Sequence, residues 1–182
     1  RFNLPKNFKD MVYLSQVTQN ECIADATEHW RRNKGRCNGS MYWQLNDCWG
    51  VCSWSSIDYY GNYKALQYGA RHFNAPVSVS IENTEEYIKL FVLNDLKEKQ
   101  DVTVTYDIFD FVSGTKQSDK KDVSIDAVKN ELVFELDVKS LAKAYDLKRT
   151  GVAVKLFKDG ELLQQKTVLF DKEKKLDLPK AK

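Results

Sequence analysis

The chain has 182 residues, enough for one large domain or for a small domain beside part of another. Hydrophobic residues make up 42% and charged residues 30%, and 28 basic residues against 26 acidic ones leave a formal net charge of +2. That balance gives no electrostatic case for a nucleic-acid partner, which needs a concentrated basic face. No apolar run approaches the ~20 residues that span a bilayer, so no membrane partner is expected either.

The sequence starts at Arg1 without a methionine. The true N-terminus is therefore expected to lie elsewhere, and a missing signal peptide proves little. From Asn7 to about Asn33 the pattern is helical. Phe8, Met11, Val12, Leu14, Ile23, Ala26 and Trp30 recur at three- and four-residue spacing, with room for a break near Thr18. Arg31, Arg32 and Lys34 suit the negative end of such a helix, and Gly35 follows it. Ser40 to Leu45 reads as a buried strand, Asn46 to about Gly61 as a long loop, and Tyr63 to Phe73 as a second helix that Asn74-Ala75-Pro76 ends. Helix, strand, loop, helix is the closing unit of a (β/α)8 barrel and cannot be a domain alone. Such a piece is expected to expose apolar surface and to pair with the rest of a barrel.

Beyond Pro76 the pattern changes to short alternating segments. Strands are expected at about Val77–Glu82, Ile88–Asn94, Val102–Phe109, Lys116–Asp126, Glu131–Val138, Val152–Lys158 and Leu162–Phe170. Val102, Val104, Tyr106 and Ile108 fall on one face, and Leu132, Phe134 and Leu136 alternate likewise. Asp159-Gly160 between two apolar runs predicts a hairpin, and Leu141 to Leu147 looks helical. Seven short strands in this length predict an immunoglobulin-like sandwich over 76–170. Its aromatics (Tyr87, Phe91, Tyr106, Phe109, Phe111, Phe134) read mostly as core. Residues 171–182, with lysines interleaved among acids, read as a solvated linker to a further domain.

The four cysteines lie between Cys22 and Cys52. Cys48-x3-Cys52 with His29 and His72 is a poor match to zinc spacing, so no metal is expected. Reduced, half-buried thiols in a cytoplasmic protein are the expectation. Asn20-Glu21 looks like a glycosidase acid/base pair, but Glu21, Asp25 and Glu28 follow helical steps and belong to one helix face. Trp43 offers an indole at a strand end, either as a flat platform for the C–H face of a sugar or as a core filler. Asn46 and Asp47 follow at the strand's C-terminal end, where hydroxyl contacts, support of a catalytic carboxylate and loop capping are all open. Trp49 and Trp54 could line an entrance or pack on the loop. Ser55-Ser56-Ile57-Asp58 reads as a helix cap.

The stretch Tyr42-Trp43-Gln44-Leu45-Asn46-Asp47, followed by Trp54-Ser55-Ser56-Ile57-Asp58-Tyr59, resembles the last barrel strand and loop of β-mannosidases in glycoside hydrolase family 2. The resemblance begins at Met11-Val12-Tyr13-Leu14-Ser15-Gln16, is weaker beyond Val77 and returns faintly at Leu176-Asp177-Leu178-Pro179-Lys180. It implies that residues 1–75 are the C-terminal part of a (β/α)8 catalytic barrel, followed by the sandwich. It implies a retaining, exo-acting β-mannosidase as the parent, needing no cofactor, with a β-mannoside oligosaccharide or glycoside as substrate. Both catalytic glutamates would lie upstream of Arg1, so no catalytic residue is assigned here. Trp43, Asn46, Asp47 and Trp54 would be substrate-binding. A non-catalytic carbohydrate-binding module or a purely structural sandwich are the alternatives.

Overall fold

The computed structural model describes residues 1–179. They form two compact units, one of Leu4–Ala75 and one of Arg1–Asn3 with the chain from Pro76 onward.

The first unit is built on helix α1, Phe8–Arg32, whose N-terminus is capped by Asn7 accepting the amide of Asp10 at 2.9 Å. The break expected near Thr18 does not occur. Ser15 and Thr18 donate their hydroxyls back to Met11 O and Leu14 O, each at 2.8 Å, so their polar atoms are satisfied without leaving the helix. Helix α2 runs over Ala65–Phe73. It starts two residues later than the pattern predicts, because Tyr63 is held in an antiparallel bridge to Ile57. Its first-turn amide at Ala65 has no local cap and is taken instead by Gln16 Oε1 of α1 at 3.1 Å. At its other end Arg31 of α1 donates to Phe73 O at 2.6 Å and Ala75 O at 2.8 Å. A guanidinium there both satisfies orphan carbonyls and meets the negative helix end. Arg31, expected to serve its own helix, therefore serves α2. Leu66, Ala70 and Phe73 are buried with Ile23, Ala24 and Tyr42 packed against them.

The strand expected over Ser40–Leu45 is absent among the described residues. Asn46 makes one parallel bridge to Ile57, and no ladder forms. A strand needs a paired neighbour to satisfy its amides, and 40–45 has none within this chain's described residues.

The second unit is a seven-stranded sandwich. The strands are β1 (Val77–Asn83), β2 (Tyr87–Asn94), β3 (Gln100–Asp110), β4 (Gly114–Ile125), β5 (Asn130–Asp137), β6 (Thr150–Lys158) and β7 (Glu161–Leu169), with helix α3 (Val138–Ala144) between β5 and β6. One sheet has the order β1-β2-β5 and the other β4-β3-β6-β7, all neighbours antiparallel. The core is mainly aliphatic: Val79, Ile88, Leu90 and Val92 from one sheet meet Val104, Ile108, Val152, Val154 and Leu156 from the other. Of the aromatics expected inside, Tyr106 is buried, with Phe134 edge-on to it at 5.0 Å between centroids; Tyr87, Phe91, Phe109 and Phe111 are only partly covered. Asp159 and Gly160 adopt φ 51° and 83°, the pair of left-handed residues a two-residue hairpin requires.

The alternation expected in β5 is corrected by a bulge. Register shifts between Leu90 and Phe91, so that Phe134 and Leu132 face them and Val133 is the extra residue. Val133 turns inward at 7% exposure, and Leu132 turns out at 41%. Edge strand β4 carries Lys116, Asp119, Lys120 and Lys121 on its exposed length, which protects its open edge. Residues expected as a free linker return to the sandwich: Asp177 donates its amide to Lys148 O at 2.9 Å and Leu176 is buried. Lys180–Lys182, the end of that expected linker, lie outside the described residues.

Candidate functional site

The loop from Asn46 to Lys64 carries Asn46, Asp47 and Trp54, and Trp43 lies just ahead of it. Its backbone is cinched at three points. Asp47 donates to Ile57 O at 3.1 Å, Ile57 to Leu45 O at 2.8 Å, and Lys64 to Ser56 O at 2.9 Å. Beneath these bonds lies a polar cluster. Asp47 is 4% exposed, and its Oδ1 accepts from the Ser53 hydroxyl at 2.5 Å. Its Oδ2 accepts from the Ser55 hydroxyl at 2.7 Å and from Lys64 Nζ at 3.2 Å. Lys64 Nζ also reaches Ser55 Oγ at 2.7 Å. The Ser53 hydroxyl first, then Ser55 and Lys64, hold the Asp47 carboxyl below its ordinary range against the opposing effect of burial. It is a carboxylate at neutral pH.

A second knot ties the loop to α2. Ser56 Oγ lies 2.8 Å from Gln67 Oε1, 2.9 Å from Leu45 O and 3.2 Å from the Tyr42 hydroxyl. Gln19 of α1 donates to Trp54 O at 2.7 Å. The loop is therefore fixed by side chains from both helices, although it has almost no regular structure.

On this frame the four predicted site residues separate. Trp43 is 72% exposed, Trp54 is 60% exposed and Asn46 is exposed as well. Asp47 is not available to a ligand, since both its oxygens are engaged by protein groups in a buried cluster. It braces the loop that carries Asn46 and Trp54 and that Trp43 leads into. Trp49 is also exposed, and the Trp43–Gln44 peptide is cis. Asn46 Nδ2 donates to Asp47 O at 3.2 Å. The sequence pattern missed Ser53, Ser55 and Lys64, which carry the brace. A lysine immediately before a helix reads as ordinary surface, and only the fold brings it back to Asp47.

Two other expectations change here. Asp58 does not cap a helix. It folds the 58–62 turn, accepting from Tyr60 N at 2.9 Å, Asn62 N at 2.8 Å and Asn62 Nδ2 at 2.9 Å; these bonds, the Asn62 side chain first, hold its carboxyl low. The cysteines are free as expected, but Cys22, Cys48 and Cys52 are exposed rather than half-buried. Glu21 lies within α1 as the helical spacing required. Among the described residues no group of three or more His, Cys, Asp or Glu side chains is placed to hold a metal ion, and no helix is long and apolar enough to cross a membrane.

The mannosidase Ig/CBM-like domain family matches residues 86–175. β-Mannosidase from Bos taurus is 48% identical over 79 residues, covering 40% of this chain and 9% of that protein. β-Mannosidase from Capra hircus is 37% identical over 107 residues, covering 55% of this chain and 12% of that protein. The crystal structure of β-D-mannosidase from Dictyoglomus thermophilum superposes with a TM-score of 0.89 at 31% identity, over 98% of this chain and 22% of that one. An exo-chitosanase from Amycolatopsis orientalis shares the fold, with a TM-score of 0.78 at 20% identity, over 92% of this chain and 20% of that one. The chain thus spans about a tenth of the length of these curated relatives. Residues 86–175 match the mannosidase Ig/CBM-like domain family, and the chain as a whole is similar to a segment of β-mannosidases.

Proposed function

We propose that this chain is the closing part of a (β/α)8 catalytic barrel (residues 1–75) followed in sequence by a sandwich (76–170), within a retaining exo-β-mannosidase. In this reading Trp43, with Asn46 and Trp54, forms one wall of the pocket for the terminal β-D-mannosyl residue. Asp47 and Lys64 hold that wall in place. The observation that carries it is the exposure of Trp43, Asn46 and Trp54 at and just ahead of a loop locked by a buried ion pair, in a chain 48% identical over 79 residues to a β-mannosidase.

The chemistry follows from what is present and what is not. A sugar offers an apolar C–H face and a rim of hydroxyls. An exposed indole covers the first and an amide such as Asn46 can bond the second. Retaining glycoside hydrolysis also needs two carboxyl groups about 5–5.5 Å apart, one as nucleophile and one as acid and then base. Asp47 cannot fill either role while both its oxygens are bonded, and Glu21 lies within a helix. Both carboxyls are therefore assigned to protein outside these residues. The (β/α)8 reading is supported by the order of α1, bridged segment, loop and α2.

The test is expression of the reading frame extended beyond this sequence, assayed on aryl β-D-mannosides. The extended product should hydrolyse them with retained configuration, and Trp43→Ala should lower kcat/KM by about a hundredfold. Residues 1–182 alone should show no turnover. Turnover by the 182-residue chain, or an extended product inert toward mannosides, would overturn the reading.

A further inference from the structure

Between α1 and the segment bearing Trp43 lies the chain's only Asn-Gly dipeptide, Asn38-Gly39. Neither the fold nor the proposed sugar wall uses it. Both residues are exposed and belong to no helix or strand. A Cβ built at Gly39 would meet nothing within 4 Å, so the backbone there has open space to move. The Asn38 side chain has one defined contact: its Oδ1 accepts the amide hydrogen of Gly35 at 2.7 Å. Only an oxygen can accept there, so the orientation of the amide is fixed by the bond itself. A hydrogen bond to that oxygen draws electron density from Cγ, which makes Cγ the better electrophile.

We propose that Asn38 is a site of spontaneous deamidation, with Gly39 supplying the nucleophile. The backbone nitrogen of Gly39 attacks Asn38 Cγ and loses its proton to solvent. The Cγ–Nδ2 bond breaks, and Nδ2 leaves as ammonia after taking up a proton. The resulting five-membered succinimide is opened by water at either carbonyl, leaving an ordinary aspartate at this position or its β-linked isomer. No oxidant, metal or enzyme is required; water is the co-reactant. Glycine is what makes the step accessible, because a side chain at 39 would crowd the ring and restrict the backbone torsions that closure needs.

The product fits its surroundings. A carboxylate at position 38 would accept the Gly35 amide as a charge-assisted bond. It would also add one negative charge to a stretch holding Arg31, Arg32, Lys34 and Arg36, lowering the formal net charge from +2 to +1. The β-linked isomer would in addition lengthen the main chain by one carbon just ahead of Tyr42 and Trp43.

The experiment is incubation of the whole chain at pH 8 and 37 °C, beside a synthetic peptide of residues 33–43, followed by peptide mass mapping. The expected result is a gain of about one mass unit confined to the peptide containing Asn38, resolved into two isomers, at a rate within about tenfold of the free peptide's. Gly39→Ala should slow it at least about tenfold; that substitution meets open space and no left-handed φ, so it leaves the fold intact. Asn46 and Asn62 should keep their amides and serve as internal controls. An Asn38 that stays amidated in the folded chain while the peptide converts would overturn the proposal. So would a Gly39→Ala chain that converts as fast as the parent.

Discussion

Gln164 on β7 reaches across the sandwich to β1, where its Oε1 accepts the amide hydrogen of Val79 at 2.9 Å. Both residues are buried. β1 is the edge of its sheet, so this amide has no strand neighbour on that side and depends on a side chain from the opposite sheet. Gln164→Leu keeps the volume and removes the acceptor. It should cost about 1–3 kcal/mol, the penalty for a buried donor left unpaired. Urea unfolding of the two chains measures it; equal midpoints would show that Val79 finds another partner.

The bulge in β5 makes a sharper comparison. Val133→Ala removes two buried methyl groups from the core and should cost about 2 kcal/mol. Leu132→Ala, one residue earlier and larger by side chain, should cost under about 0.5 kcal/mol because Leu132 is 41% exposed. The unbroken alternation Leu132, Phe134, Leu136 predicts the reverse order. Paired denaturation curves decide between the two registers.

That comparison also marks where the sequence was legible. The strands of the sandwich, the Asp159-Gly160 hairpin and the inward face of β3 follow from local pattern, because alternation and turn chemistry are local properties. The bulge is not local: Val133 is the extra residue only because β2 and β5 pair in a shifted register. The same limit applies to 40–45, whose apolar run reads as a strand but has no described partner to pair with. It applies most to Asp47. Its position marked it for chemistry, whereas its burial beneath Ser53, Ser55 and Lys64 depends on a loop closing over 17 residues. The exposure of Trp43 was not legible either, because an apolar run over 40–45 reads as a buried strand, and the indole stands 72% exposed where no strand forms.

The close approach of the two helices in the first unit predicts a steric effect. A Cβ at Gly69 of α2 would fall 1.6 Å from Asn20 Oδ1 and 2.5 Å from its Cγ on α1. Gly69→Ala gains helix propensity but must push the Asn20 side chain aside, and a net loss of about 1–3 kcal/mol is expected. Because the obstacle is a side chain, Asn20→Ala should relieve it. The double substitution should be less destabilised than the sum of the two singles, by more than about 0.5 kcal/mol. Additive thermal shifts would contradict the contact.

Acid should find a defined weak point at the β3–β4 turn. Asp110 accepts from Ser113 N at 2.8 Å, Val112 N at 2.9 Å and the Ser113 hydroxyl at 2.9 Å, with Arg149 3.5 Å away. Those bonds, the Ser113 amide first, lower its pKa from 3.8 to about 2. The folded form thus holds its proton less tightly than the unfolded chain. The contribution is complete above the unfolded value and is lost as pH falls from about 3.8 toward about 2. Asp110→Asn should lower the melting temperature at neutral pH and flatten its fall across that window. Parallel melting curves of the two chains between pH 5 and pH 2 would remove Asp110 from the acid response.

The brace under the aromatic loop yields the prediction closest to function. Lys64→Met keeps much of the side-chain length but deletes the cation that meets Asp47 Oδ2 and Ser55 Oγ. Asp47 then remains buried with two serine hydroxyls and no counter-charge, which favours opening the loop to water. The opening should appear as faster hydrogen exchange at the amides of Asp47, Ile57 and Lys64, which cinch the loop, by about tenfold or more. Amides of Val104 and Val154 in the sandwich should be unchanged, because their exchange reports a separate core. Trp43 and Trp54 would keep their exposure and lose their fixed placement, so that in the extended enzyme the same substitution should raise KM for mannosides. Exchange at the three loop amides equal to that of the parent chain would show that the backbone bonds alone hold the loop, with the Asp47–Lys64 pair incidental to it.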